Sequence, residues 1–226
     1  MIEKYKNIDE NFDIEVELDI DEDTQTYPWL YSLFIEAEVD ESVKLDIINT
    51  VEQTSFVQYV GMRFIDGWSE FYFYSLNSKN IQTKVQAYLQ ENKYKFEGGV
   101  VKDSKWDFYR GNLQPTETEF LMIESQKIVQ QLVEEGDDIA KEREVEHYVM
   151  FDTKTQMQRF IQNAENEGYT FKDEISTQEN EYGVAVIKTH NLSYEALFEN
   201  IELLRGLASQ EQGFYELWST TLAEQE

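Results

Sequence analysis

One order of elements, written twice, limits what this 226-residue chain can fold into. Strand-like and helix-like stretches follow each other as β-α-β-β-α-β over residues 29–110, and again over residues 147–222. That order is the split βαβ arrangement of ferredoxin-like folds. The expected class is therefore α+β, with two tandem ferredoxin-like (βαββαβ) domains built on antiparallel sheets. The centre of the first copy is the clearest part. Residues 57–65 and 68–76 are aromatic and β-branched runs joined by Asp66-Gly67, a pair that tolerates the positive φ angles of a tight hairpin turn.

Around that hairpin, residues 29–39 predict a strand and 40–55 a helix. Val43, Ile47, Ile48 and Val51 share one face of this helix, with Asp40 or Ser42 as its cap. Ser78 is placed to cap a second helix carrying Ile81, Val85, Tyr88 and Leu89. Residues 94–102 and 105–110 then read as strands, interrupted by Gly98-Gly99. Upstream, Phe12, Ile14, Val16, Leu18 and Ile20 alternate with acidic residues. Period two predicts a strand with one apolar and one acidic face, placed on a sheet edge.

Thr116 and Glu119 have capping-box spacing before a helix carrying Phe120, Ile123, Ile128 and Leu132, and Gly136 marks its stop. Residues 134–146 hold seven acidic and two basic side chains and few apolar ones. The expected domains are 1–135, a charged linker at 136–146, and 147–226. In the second copy, 147–152 is a strand and Thr153 caps a helix with Met157, Phe160, Ile161 and Ala164 on its face. Strands at 169–176 and 181–189 flank a polar turn at 177–180. Ser193 opens a helix with Leu197, Ile201, Leu204 and Ala208 inward, and 213–222 is the last strand. Simple alternation along it puts Phe214 and Trp218 on one face and Tyr215 on the other.

Chemistry is harder to find. The chain has no Cys, so thiol catalysis, disulfides and thiolate metal sites are excluded. His147 and His190 are the only histidines and form no metal-binding pair by spacing. A calcium loop starting at Asp19 would need Gly and Glu where Thr24 and Leu30 stand. No catalytic residue, cofactor or metal is expected. No run approaches the roughly 20 apolar residues of a membrane span, and the start Met1-Ile-Glu-Lys has no leader-like apolar core; a cytoplasmic protein without membrane contact is expected. Lys93, Lys95, Lys102, Lys105 and Arg110 surround Trp106, Phe108 and Tyr109, a mixture used in RNA platforms. The net charge of −27 opposes that use and favours a basic protein partner. The consecutive aromatics Phe71, Tyr72, Phe73 and Tyr74 must face both sides of their sheet, and the second side is expected to pack between the two units.

A resemblance adds a function. Tyr148-Val-Met-Phe-Asp152, the helix with Phe160 and Ala164, Glu167-Gly168-Tyr169 and Gly213-Phe-Tyr-Glu-Leu-Trp218 resemble the RraB family of ribonuclease E regulators. Gly213, Tyr215 and Trp218 match that family's last strand, while Glu216 and Leu217 depart from its Asp-Gly pair. Tyr59-Val-Gly61, Glu70-Phe-Tyr-Phe-Tyr74 and Trp106-Asp-Phe-Tyr109 resemble a domain of unknown function that commonly precedes an RraB-like domain. The resemblance implies a non-enzymatic regulator that binds and inhibits a ribonuclease E-like enzyme through protein–protein contacts. An immunity or antitoxin-type protein covering a basic toxin is the alternative, and a carboxylate-dependent enzyme the third reading. The expected partner-binding groups are Asp137, Asp138, Glu142, Glu144, Asp173, Glu174, Glu179 and Glu181, the last four flanking the 177–180 turn.

Overall fold

The computed structural model describes residues 2–20, 26–53, 56–79, 81–176 and 182–223. Two compact units emerge, Met1–Glu119 and Phe120–Glu226, each with its own antiparallel sheet.

The first unit contains β1 (Ile2–Lys6), β2 (Asp13–Glu17), β3 (Trp29–Ile35), α1 (Glu41–Glu52), β4 (Val57–Ile65), β5 (Trp68–Ser75), α2 (Gln82–Glu91), β6 (Phe96–Lys102) and α3 (Asp107–Asn112). The sheet order is β1-β2-β4-β5-β3-β6. Its last four strands are the ferredoxin-like set, with β2 and β1 added along β4. The hairpin closes as the sequence predicts: Ile65 faces Trp68, and Asp66 and Gly67 take φ of 51° and 83°.

One face of this sheet buries Tyr31, Leu33, Ile35, Phe71 and Phe73 against Ile47 and Val51 of α1 and Val85 and Leu89 of α2. The other buries Leu30, Val60, Tyr72 and Tyr74 against Trp106, Tyr109 and Leu113. The second side of the aromatic run is thus filled by its own unit, not reserved for packing between units. The expected strand at 105–110 is α3. The Asp103 carboxylate accepts from the amides of Asp107 and Phe108, both at 2.9 Å, and from the Tyr74 hydroxyl at 2.5 Å. That cap turns the chain back, and Trp106, at φ 59°, stacks on Tyr74 with ring centroids 4.0 Å apart. Trp106 and Tyr109 are buried, so they cannot serve as an RNA-stacking platform. Ser78 does not cap α2, which starts from Ile81 without a side-chain cap, whereas Asp40 caps α1 through the Val43 amide at 2.9 Å.

The alternating segment at 12–20 is also placed differently from expectation. Its strand, β2, lies inside the sheet because β1 pairs along it from Ile2↔Glu17 to Lys6↔Asp13. Ile14 and Val16 are buried on the Trp106 side. On the opposite side Glu15 is buried as well, 2.8 and 2.9 Å from the Lys44 ammonium of α1. Lys4 of β1 adds a contact at 3.2 Å and the Tyr59 hydroxyl one at 3.4 Å. One carboxylate therefore ties β1, β2, β4 and α1 together.

The second unit contains most of α4 (Glu117–Glu134), then β7 (Arg143–Phe151), α5 (Lys154–Asn166), β8 (Thr170–Ile175), β9 (Tyr182–His190), α6 (Tyr194–Gln210) and β10 (Phe214–Thr220). The sheet order β10-β7-β9-β8 is that of the ferredoxin-like fold. Val145, Val149, Val184, Val186, Tyr215 and Trp218 meet Met157, Phe160, Ala164, Leu197, Ile201 and Leu204 in one core. Caps form where the spacing predicts them: the Gln156 amide donates to Thr153 at 3.4 Å, the Ala196 amide to Ser193 at 3.2 Å, and the Glu119 amide to Thr116 at 3.3 Å. The units divide after Glu119 and not in 136–146, because α4 contributes Leu121, Met122 and Val129 to the second core. Part of the supposed linker is ordered too, since β7 begins at Arg143.

Removing the Lys44 ammonium would leave a buried carboxylate with only its weaker contacts. Lys44→Ala is expected to destabilise the first unit by about 3 kcal/mol, and Glu15→Gln combined with Lys44→Met by much less. Denaturant unfolding of the two variants checks this.

Candidate partner-binding surface

The eight acidic candidates do not form one group. Asp137 is 2% exposed. Its Oδ2 accepts from Arg143 Nη1 at 2.5 Å and from the Ala223 amide at 2.9 Å. Burial raises the pKa of such a carboxyl, but the Arg143 guanidinium and the Ala223 amide outweigh it and hold Asp137 below the usual carboxylate range. Asp137 thus clamps the segment after β10 to the start of β7 and is removed from the partner-facing set. Asp138 is half-buried, and its Oδ1 takes the Ala140 amide at 3.1 Å.

Glu142, Glu144, Asp173 and Glu174 are exposed. Asp173 lies opposite Ala185 and Glu174 opposite Val184 on β8, so the two point to opposite faces of the sheet, and Glu174 contacts Lys154 of α5 at 3.3 Å. Glu179, Glu181 and the 177–180 turn lie outside the described residues.

The last strand departs from simple alternation. Tyr215 faces Val149, but Leu217 faces Tyr148 and Trp218 faces His147, with a bulge at Glu216. An extra residue in one strand flips every side chain beyond it. Tyr215 and Trp218 therefore share the core face, while Phe214 and Leu217 share the other. This explains the residues that carry the resemblance. A Cβ on Gly213 would sit 2.3 Å from the Phe151 ring and 2.6 Å from the Met150 carbonyl oxygen. Trp218 Nε1 donates to Ser125 of α4 at 2.9 Å. Tyr215 and Trp218 build the core, and Gly213 gives Phe151 the room to pack there. Sequence reasoning missed Leu217 and Phe214 as the outward pair, because nothing in period-two patterning marks a bulge.

Both histidines are buried together. His190 Nδ1 lies 2.6 Å from the Asn191 carbonyl, which only accepts, so that nitrogen carries a proton. Neutral His190 then accepts at Nε2, 3.1 Å from His147 Nε2, which must donate. His147 Nδ1 accepts from the Tyr215 hydroxyl at 2.8 Å. The chain Tyr215→His147→His190→Asn191 is complete with two neutral rings, and a proton added at His190 Nε2 would set N–H against N–H. Burial first, then the neighbouring His190 and Lys188, push His147 down to about 3. Burial and Lys188 lower His190, against the pull of the Asn191 carbonyl. Burial, with Tyr169, raises the Tyr215 phenol. No ring edge is left for a substrate, so the pair is structural.

The unfolded chain binds protons on this histidine near pH 6.5, whereas folded His147 does so only near pH 3. Its contribution to stability is complete above pH 6.5 and is lost as pH falls toward 3, by up to about 1.4 kcal/mol per pH unit. Chemical unfolding of the wild type between pH 7 and 4.5 should show a steeper loss than that of His147→Phe combined with Tyr215→Phe.

Among the described residues no three His, Asp or Glu side chains converge as metal ligands, and no helix is long and apolar enough to cross a membrane. An open groove beside α1 is lined by Asp46, Asn49, Thr50, Glu52, Gln53 and Tyr88; its Tyr88 is raised by burial and by Asp46, a hydrogen-bond partner at 3.3 Å.

Residues 122–220 match the family model described as regulator of ribonuclease activity B, and residues 41–114 match a family of unknown function, DUF695. No curated protein matches. Two solved structures are similar over much of the chain. One, provisionally assigned as a glycine cleavage system transcriptional repressor, is 13% identical, with 85% of this chain and 98% of that chain covered and a TM-score of 0.27. The other, an unknown protein from Galdieria sulphuraria, is 11% identical, with 86% and 99% covered and a TM-score of 0.25. The RraB match starts inside α4, in keeping with the helix's place in the second core, and spans all of β7 to β10. The second unit accordingly carries the match to the RraB family model, and the first, earlier in the same chain, the match to the DUF695 model.

Proposed function

We propose that this chain regulates an RNA-processing ribonuclease of the ribonuclease E type by binding it as a protein and lowering its activity. The observation that carries this reading is the RraB-family match over residues 122–220. The chain acts in the cytoplasm and without chemistry of its own. The partner presents a basic surface, for which a net charge of −27 is the complement. Exposed Glu142, Glu144, Asp173 and Glu174 supply part of that field; Asp137, spent on Arg143, does not.

The test is direct. Purified ribonuclease E should cleave a model RNA more slowly when the full chain is added, and the two should associate faster at low salt. Replacing Glu142, Glu144, Asp173 and Glu174 by Lys should leave the unfolding midpoint near that of the wild type. The same variant should lower the association rate by about tenfold or more at low salt. No effect on cleavage overturns the ribonuclease reading; an unchanged association rate assigns the charge to solubility instead.

A further inference from the structure

Among the described residues of the second unit, helices cover one face of the sheet. Helices α4, α5 and α6 pack on the side of Val145, Val149, Val184, Val186 and Trp218. Met150 and Ala185 point the other way and lie outside that cluster, both buried among the side chains of their own face. The strand registers arrange this helix-free face in rows. Phe214, Met150, Gly183 and Ile175 form the first, and Leu217, Tyr148, Ala185 and Asp173 the second. Ser219, Glu146, Ile187 and Thr170 form the third, with Glu144 and Thr189 beyond it.

The first two rows are apolar almost throughout. Phe214 is 43% exposed, and Leu217, Tyr148, Ile187 and Ile175 are half-buried. The Tyr148 ring is held in place by hydrogen bonds to Ser219 at 2.7 Å and Glu146 at 3.1 Å. The bulge at Glu216 is what brings Leu217 to this face and sets exposed Glu216 beside it; bulges commonly re-aim side chains at functional edges. The charges around the patch are one-sided. Glu144, Asp173 and Glu216 contribute carboxylates, while Glu146 and the cation Lys172 are paired with each other.

We propose that this face is a docking surface for a segment of a protein partner that is apolar along one side and cationic at its margins. The apolar rows bury the partner's hydrophobic side chains, and the acidic rim pairs with its Lys or Arg. The occupant follows from the charge: a rim of carboxylates around an apolar centre complements a basic amphipathic segment and repels an acidic one. The proposal rests on the reading of the chain as a protein-binding regulator, and locates where the contact is made.

The test uses the full chain, wild type and two variants, Leu217→Glu and Phe214→Ser. Both sites face away from the core, so thermal midpoints should stay near that of the wild type, and Phe214→Ser serves if Leu217→Glu does not fold. Each is titrated with a synthetic leucine/lysine amphipathic peptide, with a serine/lysine peptide of equal charge, and with purified ribonuclease E. The expected result is saturable binding of the amphipathic peptide that shifts backbone amide resonances of β7 and β10. The variants should weaken it by about tenfold or more, and the serine/lysine peptide should bind much more weakly. No binding, equal binding of both peptides, or affinity unchanged in the variants overturns the proposal. A concentration-dependent dimer of the wild type that the variants dissociate also overturns it, since a second copy would then occupy the face. Peptide binding without ribonuclease E binding leaves the docking face standing and sinks the ribonuclease reading. Ribonuclease E binding that the variants do not weaken does the reverse.

Discussion

A sheet has two faces, and each must be packed or left to water; how each unit meets this constraint separates their roles. In the first unit α1 and α2 fill one face, and the turn from Asp103 into α3 brings Trp106 and Tyr109 over the other. The run Phe71 to Tyr74 is the direct consequence, because a strand covered on both sides needs no polar alternation. Among the described residues of the second unit, helices cover one face. The residues left outside, among them Phe214, Leu217 and Tyr148, are those a partner can reach.

The buried polar groups serve this architecture. Glu15 is shared by Lys44, Lys4 and Tyr59, so it orients two added strands against a helix. Arg143 holds Asp137, the Asp138 carbonyl and the Thr221 carbonyl, which seals the end of β10 against the start of β7. The two histidines and Tyr215 lock β7, β9 and β10 in register through one directed chain of hydrogen bonds. Each of these groups is held by polar atoms of its own unit.

Much of this was legible before the structure, and the misses share a cause. The element order, the Asp66-Gly67 hairpin and the Thr153 and Ser193 caps rest on signals within a few residues, and local patterning carries them. The strand β1 has no signal in the sequence, because Ile2-Glu-Lys-Tyr-Lys6 has no apolar face of its own; it forms by pairing with β2. The helix α3 was read as a strand because aromatic residues favour strands, while its cause is the Asp103 carboxylate binding two amides. Glu15 was assigned to an acidic outer face because Lys44 stands 29 positions away. Asp137 looked like a surface acid because its cation, six residues on, is fixed only by the fold. The Glu216 bulge shifts the face of Leu217 and Trp218 by one residue, and alternation alone cannot show it. Glu142, Glu144, Asp173 and Glu174 stand exposed.

Charge and shape act at different ranges here. A net charge of −27 draws a cationic molecule toward every part of the surface, but with a screening length of about 8 Å at physiological ionic strength it cannot choose one orientation over another. Choice has to come from contacts made after encounter, where apolar side chains lose water and only one register fits. The helix-free face combines both. Carboxylates of Glu144 and Asp173 lie on the same side of the sheet as Leu217 and Tyr148, so the charge that steers and the surface that holds share one face. Dispersed over the chain, the same acids would speed approach without improving the fit. Placed along the rows of one sheet, they turn attraction into selection among basic segments, favouring those with an apolar stripe to match.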